Sequence, residues 1–245
     1  MELKTYQDYN AMSSAAADMI IDCVRKKPQA LLCFATGDTP RLTYQILAEN
    51  SKRDKIDFSK CFMIGLDEWL GISPDNTGTC HHFLHTWLLQ PLSIDPSQIH
   101  LFDGLTPNEE EECERMNNLI TKKGPIDFMV VGVGMNGHIG FNEPGTDIES
   151  LAHVAILDHT TRTVGKKYFR DDVQINRGIT LGLKQVMQAE TLLMIANGKK
   201  KAPVIKQAVS EKISNSFPAS LIQRHSNAIL MTDNEAASEL EILQT

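Results

Sequence analysis

Short apolar runs alternate with stretches of helical periodicity along this chain. Most of the runs are rich in β-branched residues or bounded by glycine and proline, which is typical of strands buried on both faces of a sheet. Strands are predicted at 30–35, 61–66, 126–133, 153–157, 178–183, 191–196 and 228–231. Helices are predicted at 9–26, 41–50, 79–89, 109–123, 202–209 and 235–243. This alternation predicts one α/β domain over residues 1–245, with a doubly wound, mostly parallel, Rossmann-like sheet flanked by helices.

Composition narrows the class of protein without identifying it. The chain has 245 residues, of which 42% are hydrophobic, so it can form a proper core. Its formal net charge of -7 argues against non-specific binding of nucleic acid. No apolar run approaches the ~20 residues of a membrane span, and no signal peptide is expected at the polar N-terminus. The five cysteines form no C-x-x-C pair, which favours reduced thiols and a cytoplasmic protein.

The stretch from 126 to 145 changes character halfway along. Its first half is apolar, and its second half places glycines among Asn136, His138, Asn142 and Glu143. A buried strand that opens at its carboxyl end into glycines and ionisable groups predicts a ligand site. The glycines at 132, 134 and 137 also match a dinucleotide fingerprint, but Pro144 and further polar residues follow where a helix should begin. We therefore predict no nucleotide cofactor.

Other predicted strands also end in polar groups. Residues 36–39 (TGDT) either cradle an anion at a helix N-terminus or form an ordinary capped loop. Asp67 and its neighbour Glu68 follow the strand at 61–66, where a carboxylate is either a general base or a loop salt-bridge partner. His81 and His85 have the i, i+4 spacing of zinc-binding histidines, but the glutamate of H-E-x-x-H is missing. We expect a solvated helix face there and no metal.

Four segments, read in order, resemble the amino-sugar-6-phosphate deaminase/isomerase family. They are ATGDTP, GLDEW, GVGMNGHIGFNEPG, and DHTTR with NGKKKA, and they span almost the whole chain. The run from Gly137 through Gly145 (G-H-I-x-F-N-E-P-G) is the most specific part. The 6-phosphogluconolactonases share the fold and the glycine-histidine pair, but they typically lack the Phe-Asn-Glu-Pro continuation. The Asn136-Gly137-His138 spelling and the short segment after the last strand are most similar to galactosamine-6-phosphate deaminase/isomerase.

This resemblance implies a role for particular side chains. Asp67 would match the base that removes the C2 proton of the open-chain sugar, His138 the acid/base for ring opening, and Glu143 its carboxylate partner. Asn136 replaces an aspartate that the better-known glucosamine enzymes carry beside the histidine. The groups expected around the 6-phosphate are Thr36, Gly37, Asp38, Thr39, Arg162 and Lys201.

The implied reaction needs no cofactor, because substrate and product are at the same overall redox level. The expected partner is a small sugar phosphate: galactosamine 6-phosphate, giving tagatose 6-phosphate, or as the alternative glucosamine 6-phosphate, giving fructose 6-phosphate. Lactone hydrolysis and a non-catalytic sugar-phosphate sensor are the rival functions. The sequence is compatible with a homo-oligomer but does not predict the oligomeric state.

Overall fold

The computed structural model describes residues 1–171 and 173–240. A seven-stranded sheet runs through it in the order β1-β10-β9-β6-β2-β3-β5, and every neighbouring pair is parallel. These strands are β1 (Glu2–Tyr6), β2 (Leu31–Phe34), β3 (Phe62–Gly65), β5 (Ile99–His100), β6 (Phe128–Val131), β9 (Leu192–Ala196) and β10 (Ala228–Asp233). The predicted fold class, a mostly parallel sheet flanked by helices in one domain, is confirmed.

The helices follow the predicted periodicity closely where the pattern is long. They are α1 (Tyr9–Lys26), α2 (Asp38–Asp54), α3 (Cys80–Leu84), α4 (Glu109–Lys123), α5 (His159–Gly165), α6 (Leu183–Gln188) and α7 (Ala202–Ser210). A π-helical turn, His85–Leu89, continues α3, and 3-10 turns cover Pro96–Gln98, Lys166–Tyr168, Lys199–Lys201 and Pro218–Arg224. None of the helices in the described part of the chain is long and apolar enough to cross a membrane.

Three strands depart from the predicted alternation. Strands β4 (Asp67–Trp69), β8 (Arg177–Thr180) and β7 (His153–Ile156) form a separate antiparallel sheet in the order β4-β8-β7. The runs at 153–157 and 178–183 were therefore predicted correctly as strands, but they do not extend the main sheet. The short helix α5 lies between them in sequence, and β8 returns antiparallel beside β7 instead of crossing over to a parallel position.

Two strands of the main sheet carry too weak a pattern for prediction. Strand β1 is largely exposed at one edge, and β5 has only two residues at the other. Edge strands have one open side, so their sequences need no continuous apolar run.

The helix predicted at 235–243 is not formed over 235–240, which are turns and a bend, and 241–243 lie outside the described residues.

The central strands are buried on both faces because helices cover both sides of the sheet. Along β6, Met129 and Val131 pack into one hydrophobic cluster, while Phe128 and Val130 pack into the cluster on the opposite face. Alternate residues of a strand point to opposite faces, so a run of four apolar residues is what such a position requires. Strands β2, β3, β6 and β9 are therefore held by packing up to their carboxyl ends, where the connecting loops begin.

Gly182 lies between β8 and α6, and its backbone closely approaches the backbone of the loop before β7. A Cβ atom at Gly182 would lie well inside van der Waals contact of the carbonyl oxygens of Ser150 and Leu151. Gly182→Ala should therefore lower the free energy of unfolding by about 2 kcal/mol or more, since backbone atoms must move. Chemical denaturation of both proteins measures this loss.

Gly132→Ala is the matched control, because a Cβ atom there meets nothing within 4 Å. It should unfold close to the wild-type denaturant concentration. Equal destabilisation by the two substitutions would show that the cost comes from the added methyl group in general and not from the contact at Gly182.

Candidate active site

The site lies where the chain reverses its direction of travel across the sheet. From β2 the chain proceeds outward to β3 and β5, whereas β6 pairs with the other side of β2. Ligands of open α/β sheets bind at such a switch point, beside the carboxyl ends of the strands. Here the segments after β2, β3, β6 and β9 line one pocket of about 470 Å³.

His138 enters this pocket from the glycine-rich loop after β6. The loop turns back on itself, with Gly137 at a φ of 83° and the Gly134 amide donating to the His138 carbonyl oxygen at 2.9 Å. Gly134 lies against the imidazole so closely that any side chain there would displace the ring. Gly134 therefore serves placement of the His138 ring.

Two side chains hold the imidazole from behind. The Thr161 hydroxyl lies 3.0 Å from Nδ1, and Glu143 Oε2 lies 3.7 Å from the same nitrogen. Glu143 is only 8% exposed. Burial raises the pKa of its carboxyl, but hydrogen bonds from His138, Thr161 and Asn136 outweigh burial, and the net pKa is lowered. An ionised Glu143 thus lies beside the His138 ring, and the acid/base role expected of this pair stays a prediction.

Asn136 belongs to the same cluster without lining the pocket. Its side-chain amide donates to Glu143 Oε2 at 2.8 Å and to Asp158 Oδ1 at 3.4 Å, while its oxygen accepts from the His138 amide at 3.3 Å. The backbone amide of Asp158 donates to Glu143 Oε1 at 3.1 Å. Asn136 therefore links two carboxylates and the loop backbone, which is a positional role.

Asp67 lies in the same pocket, on β4 of the small sheet. Antiparallel pairing with Thr180 of β8 fixes its backbone just past the tip of β3. Burial raises the pKa of its carboxyl to about 6, although the Cys80 thiol and His138 both act to lower it. A carboxylate with such a pKa is ionised at neutral pH yet basic enough to accept a proton.

Glu68, the neighbouring carboxylate, faces away from this pocket. It is 3% exposed and accepts hydrogen bonds from the backbone amides of Trp69, Cys80 and His81 at 2.7, 3.0 and 2.6 Å. Alternation along β4 explains the division, since adjacent residues of a strand point to opposite sides. Glu68 therefore fastens the start of α3 to β4, and Asp67 alone of the pair is available to a ligand in the pocket.

The opposite end of the pocket is cationic. Residues 36–39 form its wall at the start of α2, a helix that has no side-chain N-cap. Lys201 Nζ donates to the Val133 carbonyl oxygen, and burial lowers the pKa of this lysine to about 8. Thr39 Oγ1 donates to Asn197 Oδ1 at 2.7 Å, which joins the loops after β2 and β9. A helix N-terminus beside lysine is an arrangement that favours a phosphate.

The structure does not bring Arg162 to the pocket. Helix α5 presents Thr160, Thr161, Val164 and Gly165 to the cavity, so residue 162 lies on another face of the same helix. The Arg162 guanidinium instead donates to Asn176 Oδ1 at 3.3 Å. The resemblance predicts Arg162 as a phosphate ligand. Its position on α5 instead directs the guanidinium to Asn176, whereas Lys167, five residues further along the chain, lines the pocket.

Lys167 is one of two pocket cations, with Arg41, that the sequence analysis missed. It lines the pocket and lies 2.6 Å from Asp38 Oδ2, while Arg41 binds the other Asp38 oxygen at 3.0 Å. Asp38 thus contacts two cations at the pocket wall, and the phosphate contact expected from its loop stays a prediction. The only sequence signal was the Lys166-Lys167 pair shortly after the DHTTR segment, and such a pair is unspecific.

The histidine pair at 81 and 85 faces a second cavity, of about 320 Å³. The two rings are 4.5 Å apart, and Glu68 and Asp103 line the same cavity. The described residues, 1–171 and 173–240, contain no group of three or more metal-type ligands. Both histidines are half-buried, His81 on α3 and His85 on the π-helical turn that continues it. The prediction of a solvated helix face is wrong in that respect.

Fold and site together define an open α/β sheet with a pocket that carries carboxylates, a histidine and lysines at the ends of its strands, and comparison with known proteins gives the family. The family of glucosamine-6-phosphate isomerases and 6-phosphogluconolactonases matches residues 7–231. A glucosamine-6-phosphate deaminase of Thermoanaerobacter sp. (strain X514) is 36% identical over 94% of this chain and 92% of its own length. The putative deaminase AgaI of Escherichia coli K12 is 37% identical over 94% of this chain and 90% of its own. The chain therefore belongs to this family, and the predicted relationship to amino-sugar-6-phosphate deaminases is confirmed.

Solved structures agree with that assignment. A monomeric glucosamine-6-phosphate deaminase superposes with a TM-score of 0.95 at 33% identity, covering 98% of this chain and all of the other. A 6-phosphogluconolactonase of Trypanosoma brucei reaches 0.78 at 18% identity, which shows a shared fold alone. The difference places this chain structurally nearer to the deaminase than to the lactonase.

The raised pKa of Asp67 makes a prediction about stability. An aspartate in an unfolded chain titrates near ~3.9, whereas the folded Asp67 has a pKa of about 6, so rising pH lowers the free energy of unfolding between these two values, and the loss is complete above about pH 6. Asp67→Asn should therefore be more stable than wild type at pH 8, by an order of 1–2 kcal/mol, and the gain should shrink towards pH 5. Denaturation curves at several pH values measure the difference.

Asp75→Asn, at an exposed loop position, is the control for loss of one negative charge. A stability gain in Asp67→Asn that is constant with pH, or that the control reproduces, would contradict the raised pKa.

Proposed function

We propose that this protein is an amino-sugar-6-phosphate deaminase/isomerase that converts galactosamine 6-phosphate into tagatose 6-phosphate and ammonia. The observation that carries this proposal is that Asp67 and His138 line one pocket whose other end is cationic. Galactosamine 6-phosphate is the first candidate because the Asn136-Gly137-His138 sequence is most similar to that of galactosamine-6-phosphate deaminase/isomerase. Glucosamine 6-phosphate is the second candidate, because several relatives are named glucosamine-6-phosphate deaminase.

Ring opening is the first chemical step under this proposal. The pyranose must gain a proton at its ring oxygen and lose one from its anomeric hydroxyl. An imidazole can do both near neutral pH. The Thr161 hydroxyl and the Glu143 carboxylate near Nδ1 fix the ring's orientation and leave Nε2 for the sugar. Glu143 also stabilises the imidazolium that the proton shuttle passes through.

Isomerisation and deamination follow on the open-chain aldehyde. Asp67 takes the proton from C2, which is acidic once the aldehyde is free, and electrons shift to give an enolamine. Return of a proton to C1 leaves an imine at C2, and attack by water on that carbon expels ammonia and leaves the ketose. Substrate, water and products balance without any redox partner.

The phosphate lies away from the reacting carbons and supplies binding energy that positions them. Three features support a phosphate at the cationic end: the uncapped N-terminus of α2, the partly desolvated Lys201, and Lys167. In the free protein Asp38 neutralises Lys167. A phosphate dianion would recruit this lysine and restore full charge to Lys201.

Substrate choice is tested by ammonia release from galactosamine 6-phosphate and glucosamine 6-phosphate, measured side by side. We expect ammonia release from both compounds, with the higher kcat/KM for galactosamine 6-phosphate. A preference for glucosamine 6-phosphate selects the second candidate. Hydrolysis of 6-phosphogluconolactone with no ammonia from either amino sugar would overturn the deaminase proposal.

Asp67→Asn gives the mechanistic arm of that test. It should lower kcat by ~100-fold or more, the order of general-base contributions, and abolish solvent exchange of the C2 hydrogen. Substrate affinity should change little, because the amide keeps the shape of the carboxylate. Exchange at the wild-type rate would assign the base to another group.

The phosphate end makes a separate prediction. Lys167→Ala and Lys201→Ala should each lower kcat/KM for the phosphorylated sugar by ~10- to 100-fold, the order expected for a hydrogen bond between charged groups. In the wild type, kcat/KM should also fall as pH rises through about 8, because Lys201 then loses its charge. Lys201→Ala should lack that alkaline decline.

Arg162→Ala is the matched control, since its guanidinium contacts Asn176 outside the pocket. It removes a positive charge from the same helix region and should leave kcat/KM within a few-fold of wild type. A loss at Arg162 as large as at Lys167 would show that the arginine reaches the phosphate after all.

A further inference from the structure

Cys80 is a buried thiol in the wall of the pocket, and the mechanism above gives it no task. It is the first residue of α3, is 3% exposed, and lies among the pocket-lining residues. Its Sγ lies 3.6 Å from Asp67 Oδ1, within the range of a sulfur hydrogen bond. It is therefore the side chain that touches the proposed base directly.

A second contact orients this thiol. The Thr36 hydroxyl, from the loop after β2, donates to Cys80 Sγ at 3.2 Å. With the sulfur accepting from Thr36, the thiol hydrogen is free to point at the Asp67 carboxylate. The chain of donors therefore runs in one direction, from Thr36 to Cys80 to Asp67.

The backbone of Cys80 is held as firmly as its side chain. Glu68, the neighbour of Asp67 on β4, accepts from the Cys80 amide at 3.0 Å. Residues 67 and 68 thus bind the same cysteine twice, once through the thiol and once through the amide. This double attachment fixes the distance between the sulfur and the base.

The thiol stays a donor at every relevant pH. Burial, followed by the nearby Asp67 and Glu68 charges, raises the pKa of Cys80 well above its usual range. A protonated thiol of this kind is a poor nucleophile and a weak hydrogen-bond donor. Chemistry on the sulfur itself is therefore disfavoured, and a contribution through Asp67 is favoured.

We infer that Cys80 is a positioning residue for Asp67, whose thiol aims the carboxylate at the substrate and favours its ionised form. The inference rests on the proposed role of Asp67 as the base. A hydrogen bond to the charged form of an acid lowers its pKa, so loss of the thiol should raise the pKa of Asp67. It should also loosen the orientation of the carboxylate.

Other groups near Asp67 also bear on its titration. His138 faces it across the pocket, and buried Cys33 of β2 and Tyr44 of α2 lie close enough to interact with its charge. Burial raises the pKa of both Cys33 and Tyr44 well above the usual range, so they stay neutral. Glu68 titrates too, with its pKa raised by burial to about 7, so a pH profile alone does not identify the group that moves.

The test compares Cys80→Ala with Cys80→Ser. Both residues are smaller than cysteine and fit the site, but only serine keeps a donor. Carbon-13 NMR of aspartate-labelled protein follows the Asp67 carboxyl, assigned by its disappearance in Asp67→Asn. In Cys80→Ala we expect the Asp67 pKa to rise by ~0.5–1 pH unit, the size of one hydrogen bond, and in Cys80→Ser to stay at or below the wild-type value.

Kinetics supply the second readout. The acid limb of the kcat/KM profile should move to higher pH in Cys80→Ala by the same amount and stay in place in Cys80→Ser. An unchanged Asp67 pKa in Cys80→Ala, or an equal rise in both variants, would overturn the inference and leave Cys80 as packing. The NMR titration needs no turnover, so it remains decisive if the protein releases ammonia from neither amino sugar and the proposed function fails.

Discussion

The parallel register of β3, β2, β6 and β9 is the constraint on which the rest of the site depends. Four neighbouring strands of one direction must end at the same edge, so the segments that follow them meet there whatever their separation in sequence. Residues 36–39, Asp67, the loop to His138 and Lys201 occupy those four positions. Helices on both faces keep the strands fixed, which gives the loops a rigid frame.

The small antiparallel sheet adds what the main sheet alone does not provide. It carries Asp67 on β4 and leads through β7 into α5, whose Thr161 contacts His138. The proposed base and the proposed acid/base are thus held by the same accessory sheet from two directions. Glu68 fastens α3 to this sheet through backbone amides, so Cys80 belongs to the same rigid unit.

Charge is separated along the pocket in a way that suits an anionic substrate on a net acidic protein. Asp67 lines the pocket near His138, which Glu143 contacts from behind, and Lys167 and Lys201 line the same pocket. The total of -7 therefore says little about the local field. Asp38 compensates part of this positive charge through its ion pair with Lys167 at the wall of the pocket.

The sequence by itself determined the elements with strong periodicity, the strand ends that bear polar groups, and the family resemblance from which roles for Asp67, His138 and Glu143 are predicted. These are local properties, because burial on both faces and glycine turns leave their mark within a few residues. Only the tertiary structure decided which groups on one helix face the pocket, and so favoured Lys167 over Arg162. It also decided that Glu68 turns away from the pocket while Asp67 turns towards it, and that the Cys80 thiol, 13 residues further along the chain, contacts Asp67. Such choices depend on rotation about an element and on packing between segments far apart in the chain, which no local pattern encodes.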